Sequence, residues 1–214
     1  MGRENKKEAV AALHRERIMK TAEKLFSEKG YGQTTIADIS KASEYSRRTI
    51  YAYYESKDDI LHHIIEKGLQ TLKSDIEYAV NSNDDFVAGY RVICMAMCQY
   101  KKEYPHSTEH VNSANSGSFD MENASDTLKH ILCLGTEINE ILAEFIEKGK
   151  RKGVVCKNIV PMLTVYVLWS SINALLTLAD TKGKFICEQF AISEDEFLDY
   201  GFKQIINSIL EVRV

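Results

Sequence analysis

The chain has 214 residues, of which 44% are hydrophobic and 27% are charged, and its formal net charge is −4. This apolar content is enough for a buried core and excludes a disordered or fibrous protein. The chain has only 2 prolines and 11 glycines, and its apolar residues recur near every 3.6 positions, so we predict an all-α fold.

The distribution of charge and cysteine narrows the function classes. Residues 1–73 carry 14 Lys and Arg against 11 Asp and Glu, whereas residues 74–214 carry 13 against 20. A basic head on an acidic body is typical of a nucleic-acid contact surface joined to a separate acidic domain. The chain has five cysteines at irregular spacing, and its N-terminus lacks the apolar core of a signal peptide, which favours a cytoplasmic location.

Amphipathic patterns predict a series of helices along the chain. Residues 1–10 are charged and are expected to be frayed or loosely helical, and the polar segment His106–Asp120 is expected to be a loop or a short irregular helix. Pro105 ends one helix, and Pro161 fits the first turn of another. We predict helices over about 11–29, 35–42, 46–54, 56–80, 86–104, 121–152, 161–179 and 193–212.

Three closely spaced helix starts predict a helix-turn-helix. Two capping-box patterns, at Thr35–Asp38 and Ser56–Asp59, flank an N-cap candidate at Ser46. The connection Ala42–Tyr45 has roughly the 3–4 residues that join the two helices of such a motif. The helix that follows opens with two arginines and then carries tyrosines, which is the composition of a DNA recognition helix.

Two strongly apolar helices are predicted near the C-terminus. The segment Asn158–Ala179 has 22 residues and no charge, which is enough length to span a membrane. Its Ser, Thr and Asn side chains dilute the apolarity and favour a helix buried on most sides within a soluble assembly. This helix and the last one, from Ser193, need a partner surface. We therefore predict a homodimer through the last two helices, which would form a two-fold four-helix interface without a membrane.

Residues 15–61 resemble the N-terminal domain of TetR-family transcriptional regulators. The matching motifs, in the family's order, are Leu25-Phe26, Gly30-Tyr31, Thr34-Thr35-Ile36-Ala37-Asp38-Ile39, Thr49-Ile50-Tyr51, Tyr53-Tyr54 and Ser56-Lys57-Asp58-Asp59-Ile60-Leu61. Over residues 62–214 the similarity is only architectural. Two departures stand out. Ser43 and Glu44 occupy the turn where the family usually has a small residue and Gly, and Arg48 replaces a usual Gly.

The resemblance implies a helix-turn-helix DNA-binding domain over residues 1–60 and a helical ligand-binding and dimerisation domain over residues 61–214. A dimer of this kind would bind a near-palindromic double-stranded DNA operator, with its third helices in successive major grooves. A small-molecule effector between the middle helices would shift the fourth helix and release the DNA, as in a ligand-released repressor. No cofactor is implied.

The candidate DNA contacts lie at helix starts and along the third helix. Arginines there can fork onto guanine or clamp a phosphate, and helix N-termini favour anions. The candidates are Thr34, Thr35, Ser46, Arg47, Arg48, Thr49, Tyr51, Tyr53 and Lys57. The resemblance also implies a ligand pocket, although packing in a core or an interface is the simpler interpretation of each of its candidates. The pocket candidates are Tyr90, Tyr100, Tyr166, Trp169 and Asn173.

Several alternatives remain open at the level of sequence. Three pairs of potential metal or redox ligands are Cys94 with Cys98, His106 with His110, and His130 with Cys133. Small buried cysteines and polar loop histidines explain these pairs more simply, and we predict no metal site. The sequence has no nucleophile–base motif or phosphate loop, so we expect no enzyme. The competing hypothesis is an all-α dimeric interaction or membrane-associated protein without specific DNA binding.

Overall fold

The computed structural model describes residues 2–105 and 124–212, and it describes side chains from residue 6 onwards. These residues are predominantly helical and contain no β-strand beyond one isolated bridge, which confirms the all-α class. The helices are α1 (Gly2–Lys29), α2 (Ile36–Ser43), α3 (Arg47–Tyr51), α4 (Lys57–Ser82), α5 (Phe86–Glu103), α6 (Asp126–Arg151), α7 (Pro161–Phe190) and α8 (Glu194–Asn207).

Backbone contacts divide the chain into two compact units. The first comprises Met1–Gln70 with Tyr100–Leu134, and the second comprises Thr71–Gln99 with Gly135–Val214. Helices α1, α2 and α3 belong wholly to the first unit, and α7 and α8 belong wholly to the second. Helices α4, α5 and α6 each contribute residues to both.

In the first unit, α1 provides the surface on which the short helices pack. Ile18, Ala22 and Phe26 recur every four residues and so share one face of α1. These three side chains, together with Ile39 of α2 and Ile50 of α3, are at most 1% exposed. The burial of Ile50 fixes the rotation of α3 and therefore decides which of its side chains face outwards.

Helix α1 extends further towards the N-terminus than the sequence pattern indicates. It begins at Gly2, whereas the sequence predicts fraying or loose helix through residue 10. Lys, Glu and Ala are good helix formers even without an apolar partner surface. The periodicity of buried residues marks only the part of the helix that packs against the core.

Helix α2 begins where its capping box predicts. The backbone N–H of Asp38 donates to Thr35 Oγ1 at 3.2 Å, and the N–H of Thr35 donates to Asp38 Oδ2 at 3.0 Å. Helix α4 follows the same rule with one difference. The N–H of Asp59 donates to Ser56 Oγ at 3.0 Å, but the Asp59 carboxylate accepts from the N–H of Glu55. Side chains therefore satisfy N–H groups at both helix starts.

Helix α3 is shorter than predicted. Ser46 caps it, because its hydroxyl accepts the backbone N–H of Thr49 at 3.0 Å, but the helix ends at Tyr51 rather than at Tyr54. The N–H groups of Tyr53 and Tyr54 both donate to the carbonyl of Ile50 at 3.0 Å. This shared acceptor closes the helix as a turn and leads the chain into α4.

The C-terminal boundaries also differ from the sequence prediction. Helix α7 continues from Pro161 to Phe190, past the expected end near residue 179. Helix α8 ends at Asn207 rather than near Val212. Beyond it, the carbonyl of Ile209 accepts the N–H of Cys156 at 2.9 Å, and Val155 forms an antiparallel bridge with Leu210. These pairings with the α6–α7 connection replace the last helical turn.

One described helix, α7, is long and apolar enough to cross a membrane by length and composition alone. The same test is passed by core or interface helices of proteins that never enter a membrane. Its two faces differ. Val165, Leu168 and Ile172 are buried, whereas Leu163 and Val167 are each 63% exposed. Leu163 and Ile172 are nine residues apart, about half a turn of helix in rotation, so they lie on opposite faces.

Candidate DNA-binding surface and ligand cavity

Helix α3 presents two arginines to solvent. Arg47 and Arg48 are exposed, and neither guanidinium makes a hydrogen bond or ion pair with any residue that the structure describes. Tyr51, one turn further along, is 56% exposed. Because α3 is held from beneath by buried Ile50, these three side chains face outwards with positive charge at the helix start.

The hydroxyl groups of α3 form a short local pair. Ser46 Oγ and Thr49 Oγ1 lie 2.8 Å apart, and either can be the donor. Ser46 is exposed and Thr49 is half-buried. The pair orders the first turn of α3 while leaving one hydroxyl proton to redistribute towards an outside acceptor such as a phosphate oxygen.

Tyr53 lies against α1 in an aromatic and basic cluster that the sequence patterns did not indicate. Its hydroxyl makes a 3.0 Å hydrogen bond with His14 Nδ1, and the guanidinium of Arg15 lies 5.5 Å from the centre of its ring. Arg17 lies at the same distance from the ring of Tyr45. Residues far apart in sequence meet here, because the residues that flank α3 on both sides contact α1.

The Thr34 side chain stabilises the fold and does not lie on the solvent-facing surface. Its side chain is 1% exposed, and its hydroxyl donates to the carbonyls of Gly30 at 2.9 Å and Leu25 at 3.2 Å. The hydroxyl therefore satisfies carbonyls at the end of α1. Thr35, the neighbouring candidate, is exposed and stands at the start of α2.

Lys57 is also held by the protein itself. Its ammonium donates to the carbonyls of Tyr31 at 2.8 Å and Thr34 at 2.9 Å, and it lies 4.1 Å from the centre of the Tyr31 ring. An ammonium has three N–H donors, so one remains for another acceptor. Lys57 therefore ties the start of α4 to the segment that precedes α2.

The turn between α2 and α3 adopts the left-handed conformation that the family's usual Gly provides. Glu44 has φ 63° and ψ 15°, a region that costs a residue with a Cβ roughly 1–2 kcal/mol. Its carboxylate accepts from Arg17 Nη2 at 2.6 Å. The departure at Glu44 therefore keeps the backbone geometry of the turn and adds an exposed ion pair.

In the second unit, α5, α6, α7 and α8 line an apolar cavity of about 30 Å³, which is room for about one water molecule. Two of the pocket candidates, Tyr90 and Trp169, line it. Tyr166 is 55% exposed and Asn173 is half-buried, and neither belongs to the cavity wall. Tyr100 belongs to the first unit. The remaining wall residues are Phe86, Ile93, Met97, Leu142, Phe145, Ile146, Val165, Leu168, Ile172 and Ile206.

Close packing surrounds this cavity. The rings of Phe86 and Phe145 stack at 4.5 Å with 12° between their planes. A Cβ at Gly149 would lie 2.6 Å from Val155 and 2.8 Å from Phe86, so the absence of a side chain at this position allows the close approach. The hydroxyl of Tyr90 donates to the carbonyl of Phe202 at 3.2 Å. The Tyr90 hydrogen bond and the stacked Phe86 and Phe145 rings therefore order the wall of the cavity.

Cys94, the buried member of the Cys94–Cys98 pair, does not have the environment of a reactive thiol. Burial raises the pKa of the Cys94 thiol to about 12, so the thiol stays protonated and unreactive at neutral pH. Within the described residues, no three His, Cys, Asp or Glu side chains are grouped in a way that could hold a metal ion. His130 instead pairs with Glu66, and Cys133 is exposed. His106 and His110 lie outside the described residues.

Known proteins resemble the N-terminal part of this chain in sequence. The family model for bacterial regulatory proteins of the tetR family matches residues 18–64. The HTH-type transcriptional regulator HbdR of Aromatoleum sp. (strain CIB) is 42% identical over 62 residues, which is 29% of this chain and 27% of that protein. The negative regulator IcaR of the Staphylococcus epidermidis biofilm operon icaADBC is 32% identical over 71 residues, which is 33% and 37% of the two chains.

The similarity in structure extends beyond that segment. The crystal structure of PfmR, a TetR family transcriptional regulator from Thermus thermophilus, has a TM-score of 0.61 and 28% identity. The match covers 75% of this chain and 85% of that one. The chain spans only about a quarter to a third of the length of the two curated relatives. All three similar proteins are named as regulators, which agrees with the expectation that the chain is not an enzyme.

Proposed function

We propose that the chain is a TetR-family transcriptional regulator, a repressor that binds a near-palindromic DNA operator as a homodimer and is released by a small molecule. The observation that carries the proposal is α3, whose two arginines are exposed and unpaired within the described residues while Ile50 anchors the helix. The proposed domains are residues 1–60 for DNA binding and 61–214 for effector binding and dimerisation, in a cytoplasmic protein.

Each proposed DNA contact has a role that follows from its geometry. Arg47, Arg48 and Tyr51 would enter the major groove, where arginine can bind guanine O6 and N7. Thr35 and Lys57, at the starts of α2 and α4, would bind phosphates together with free backbone N–H groups. Ser46, Thr49 and Tyr53 would contribute hydroxyl groups to the phosphate backbone. Thr34 would act indirectly, because its hydroxyl is already used within the fold.

The dimer would form through α7 and α8. Beyond Leu163 and Val167, large apolar side chains of this part of the chain remain exposed, and such a surface marks an interaction site. They are Tyr166, Leu178, Phe185, Phe190 and Tyr200. Membrane insertion or a DNA-independent interaction is the competing explanation of this surface, and the similarity to regulators does not favour it. A monomer in sedimentation at micromolar concentration would contradict the dimer.

Release would begin at the cavity. A drug-sized ligand needs roughly 300–1,000 Å³, so the cavity of about 30 Å³ would have to open. Helices α5 and α6 line the cavity and continue into the first unit. We propose that they transmit the change, together with α4. The effector must bind the opened state more tightly for this to happen.

The test is DNA selection followed by a salt series. Fragments selected from random duplex DNA should share a near-palindrome, and the affinity for them should fall as salt rises, because bound phosphates release counterions. Arg48→Ala should weaken specific binding by about 1–3 kcal/mol and relax selection at one base position. Lys184→Ala, an exposed lysine of α7, is the matched control and should change neither.

Two outcomes would contradict parts of this proposal. A uniform loss across all sequences with a shallower salt slope would mean that Arg48 binds phosphate only. Binding that selects no sequence and is unchanged in both Arg47→Ala and Arg48→Ala would exclude α3 as the recognition helix.

A further inference from the structure

An open cleft between α5 and α8 adjoins the apolar cavity of the second unit. The cleft has a volume of about 230 Å³, and Tyr90 and Ile206 line both the cleft and the cavity. The hydrogen bond from the Tyr90 hydroxyl to the carbonyl of Phe202 stands between the two spaces.

The rim of the cleft carries excess positive charge. Arg91 Nη2 contacts Asp199 Oδ1 at 2.5 Å, and both side chains are more than half exposed. Lys203, one turn beyond Asp199 on α8, also lines the cleft. Its ammonium is exposed and makes no hydrogen bond or ion pair with a described residue. The rim therefore has two cations and one anion, and one of the cations is free to bind.

The interior has the opposite character. Its wall is formed almost entirely by aliphatic and aromatic carbon, and its one hydroxyl, that of Tyr90, is occupied by Phe202. A ligand charge placed inside would lose its hydration without a compensating partner. A ligand charge held at the rim would keep water and gain Lys203.

We propose that this cleft is the entrance to the effector site and that the effector is an amphipathic anion, an apolar chain or ring system with a terminal carboxylate. The apolar part displaces Tyr90 from Phe202 and expands the cavity, while the carboxylate stays at the rim on Lys203 and competes with Asp199 for Arg91. The role of the ligand as an effector rests on the proposed function. The site itself stands on the geometry of the cleft and the cavity.

The only tryptophan of the chain reports on this site, because Trp169 lines the cavity. Its fluorescence can be titrated with octanoate, decanoate and dodecanoate below their micellar concentrations, and with the alcohols and amines of equal length. We expect saturable changes for the carboxylates and an affinity that rises up to about fourfold for each added methylene. The carboxylates should bind roughly tenfold more tightly than the alcohols, since one charge pair is gained at a partly exposed site.

Two exposed substitutions should act in opposite directions. Lys203→Gln should reduce the preference for carboxylates over alcohols and leave the affinity for alcohols unchanged, because Arg91 still lines the cleft. Asp199→Asn should strengthen carboxylate binding, because it frees Arg91. Lys182→Gln, an exposed lysine of α7, is the matched control. Circular dichroism and thermal melting check that each variant is folded.

Specific results would overturn the inference. If no carboxylate changes the Trp169 emission, the cleft is not an entrance to the cavity. If alcohols or amines bind as well as carboxylates, or if Lys203→Gln has no effect, the anionic class is wrong. Operator binding is measured separately. If operator binding is found but no carboxylate binds, the proposed carboxylate site is wrong and the proposed regulator is not contradicted. If carboxylates bind but no operator is found, the proposed regulator is wrong and the site is not contradicted.

Discussion

Glu44 offers a test of how backbone conformation and an ion pair contribute at one position. Its φ of 63° is unfavourable for any residue with a Cβ, by roughly 1–2 kcal/mol. Glycine relieves this cost but adds about 0.4–1 kcal/mol of unfolded-state entropy. Its ion pair with Arg17 joins side chains that are 79% and 53% exposed, so it contributes at most about 0.5 kcal/mol. We therefore expect Glu44→Gly to be more stable than Glu44→Ala by about 1 kcal/mol.

Neither Glu44→Gly nor Glu44→Ala can form the ion pair with Arg17, so the difference in their stability reports only the backbone conformation. For a chain of this length, 1 kcal/mol corresponds to a shift in melting temperature of about 2–4 °C. Lys24 is exposed within α1, and its two variants are the matched control. The Lys24→Gly protein should be about 1 kcal/mol less stable than the Lys24→Ala protein. Melting is followed by circular dichroism at one fixed protomer concentration, since the proposed dimerisation would make stability concentration-dependent. If both positions favour Ala, residue 44 is not held in the left-handed region and the reasoning fails.

Two further predictions concern acid stability and assembly. Hydrogen bonds from the Thr35 hydroxyl and N–H, with a contribution from Lys29, lower the pKa of Asp38 from 3.8 to about 2. The resulting stabilisation is complete above about pH 4 and is lost as pH falls towards 2, so Asp38→Asn should lose less melting temperature than the wild type between pH 5 and pH 3; equal losses would contradict this. Val167→Asp should weaken the dimer by at least about 2 kcal/mol in sedimentation equilibrium, because burial leaves the new carboxylate unpaired, whereas Met95→Asp on the exposed face of α5 should leave the dimer intact.

Local chemistry explains why several helix starts could be predicted from the sequence. Thr35, Ser46 and Ser193 each accept the N–H group three residues ahead, and a cap needs only residues that are neighbours in the chain. The end of α3 is different. The carbonyl of Ile50 accepts two N–H groups there, and this geometry depends on how α3 meets the core. Helix ends that tertiary packing decides are not encoded in nearby residues.

The candidate DNA surface was predictable only in part for a related reason. The outward position of Arg47 and Arg48 follows from the burial of Ile50 on the same short helix. The partners of Thr34 and Lys57 do not follow from spacing. Lys57 donates to the carbonyl of Tyr31, 26 residues away in sequence, and backbone carbonyls carry no signal in a sequence pattern. At a helix start, the residue types that stabilise the domain are the same as those that bind a phosphate. The sequence therefore does not distinguish the two roles.

The ligand cavity was harder to predict because residues 161–179 of α7 carry no charge and have apolar side chains on all sides. The buried side of an amphipathic helix can be predicted, because its polar stripe identifies the side that is exposed to solvent. In α7, the exposed Leu163 and the buried Ile172 have nearly the same side-chain chemistry, so residue type does not show which side of the helix is buried. For this reason the sequence could not show that Trp169 lines the cavity and that Tyr166 and Asn173 do not. This ambiguity has a functional meaning in the proposed regulator. A single helix that lines the effector cavity with one face and meets the second protomer with the other couples the two events. An effector that displaces α7 must change the free energy of dimerisation, and by linkage dimerisation must change the affinity for the effector by the same factor.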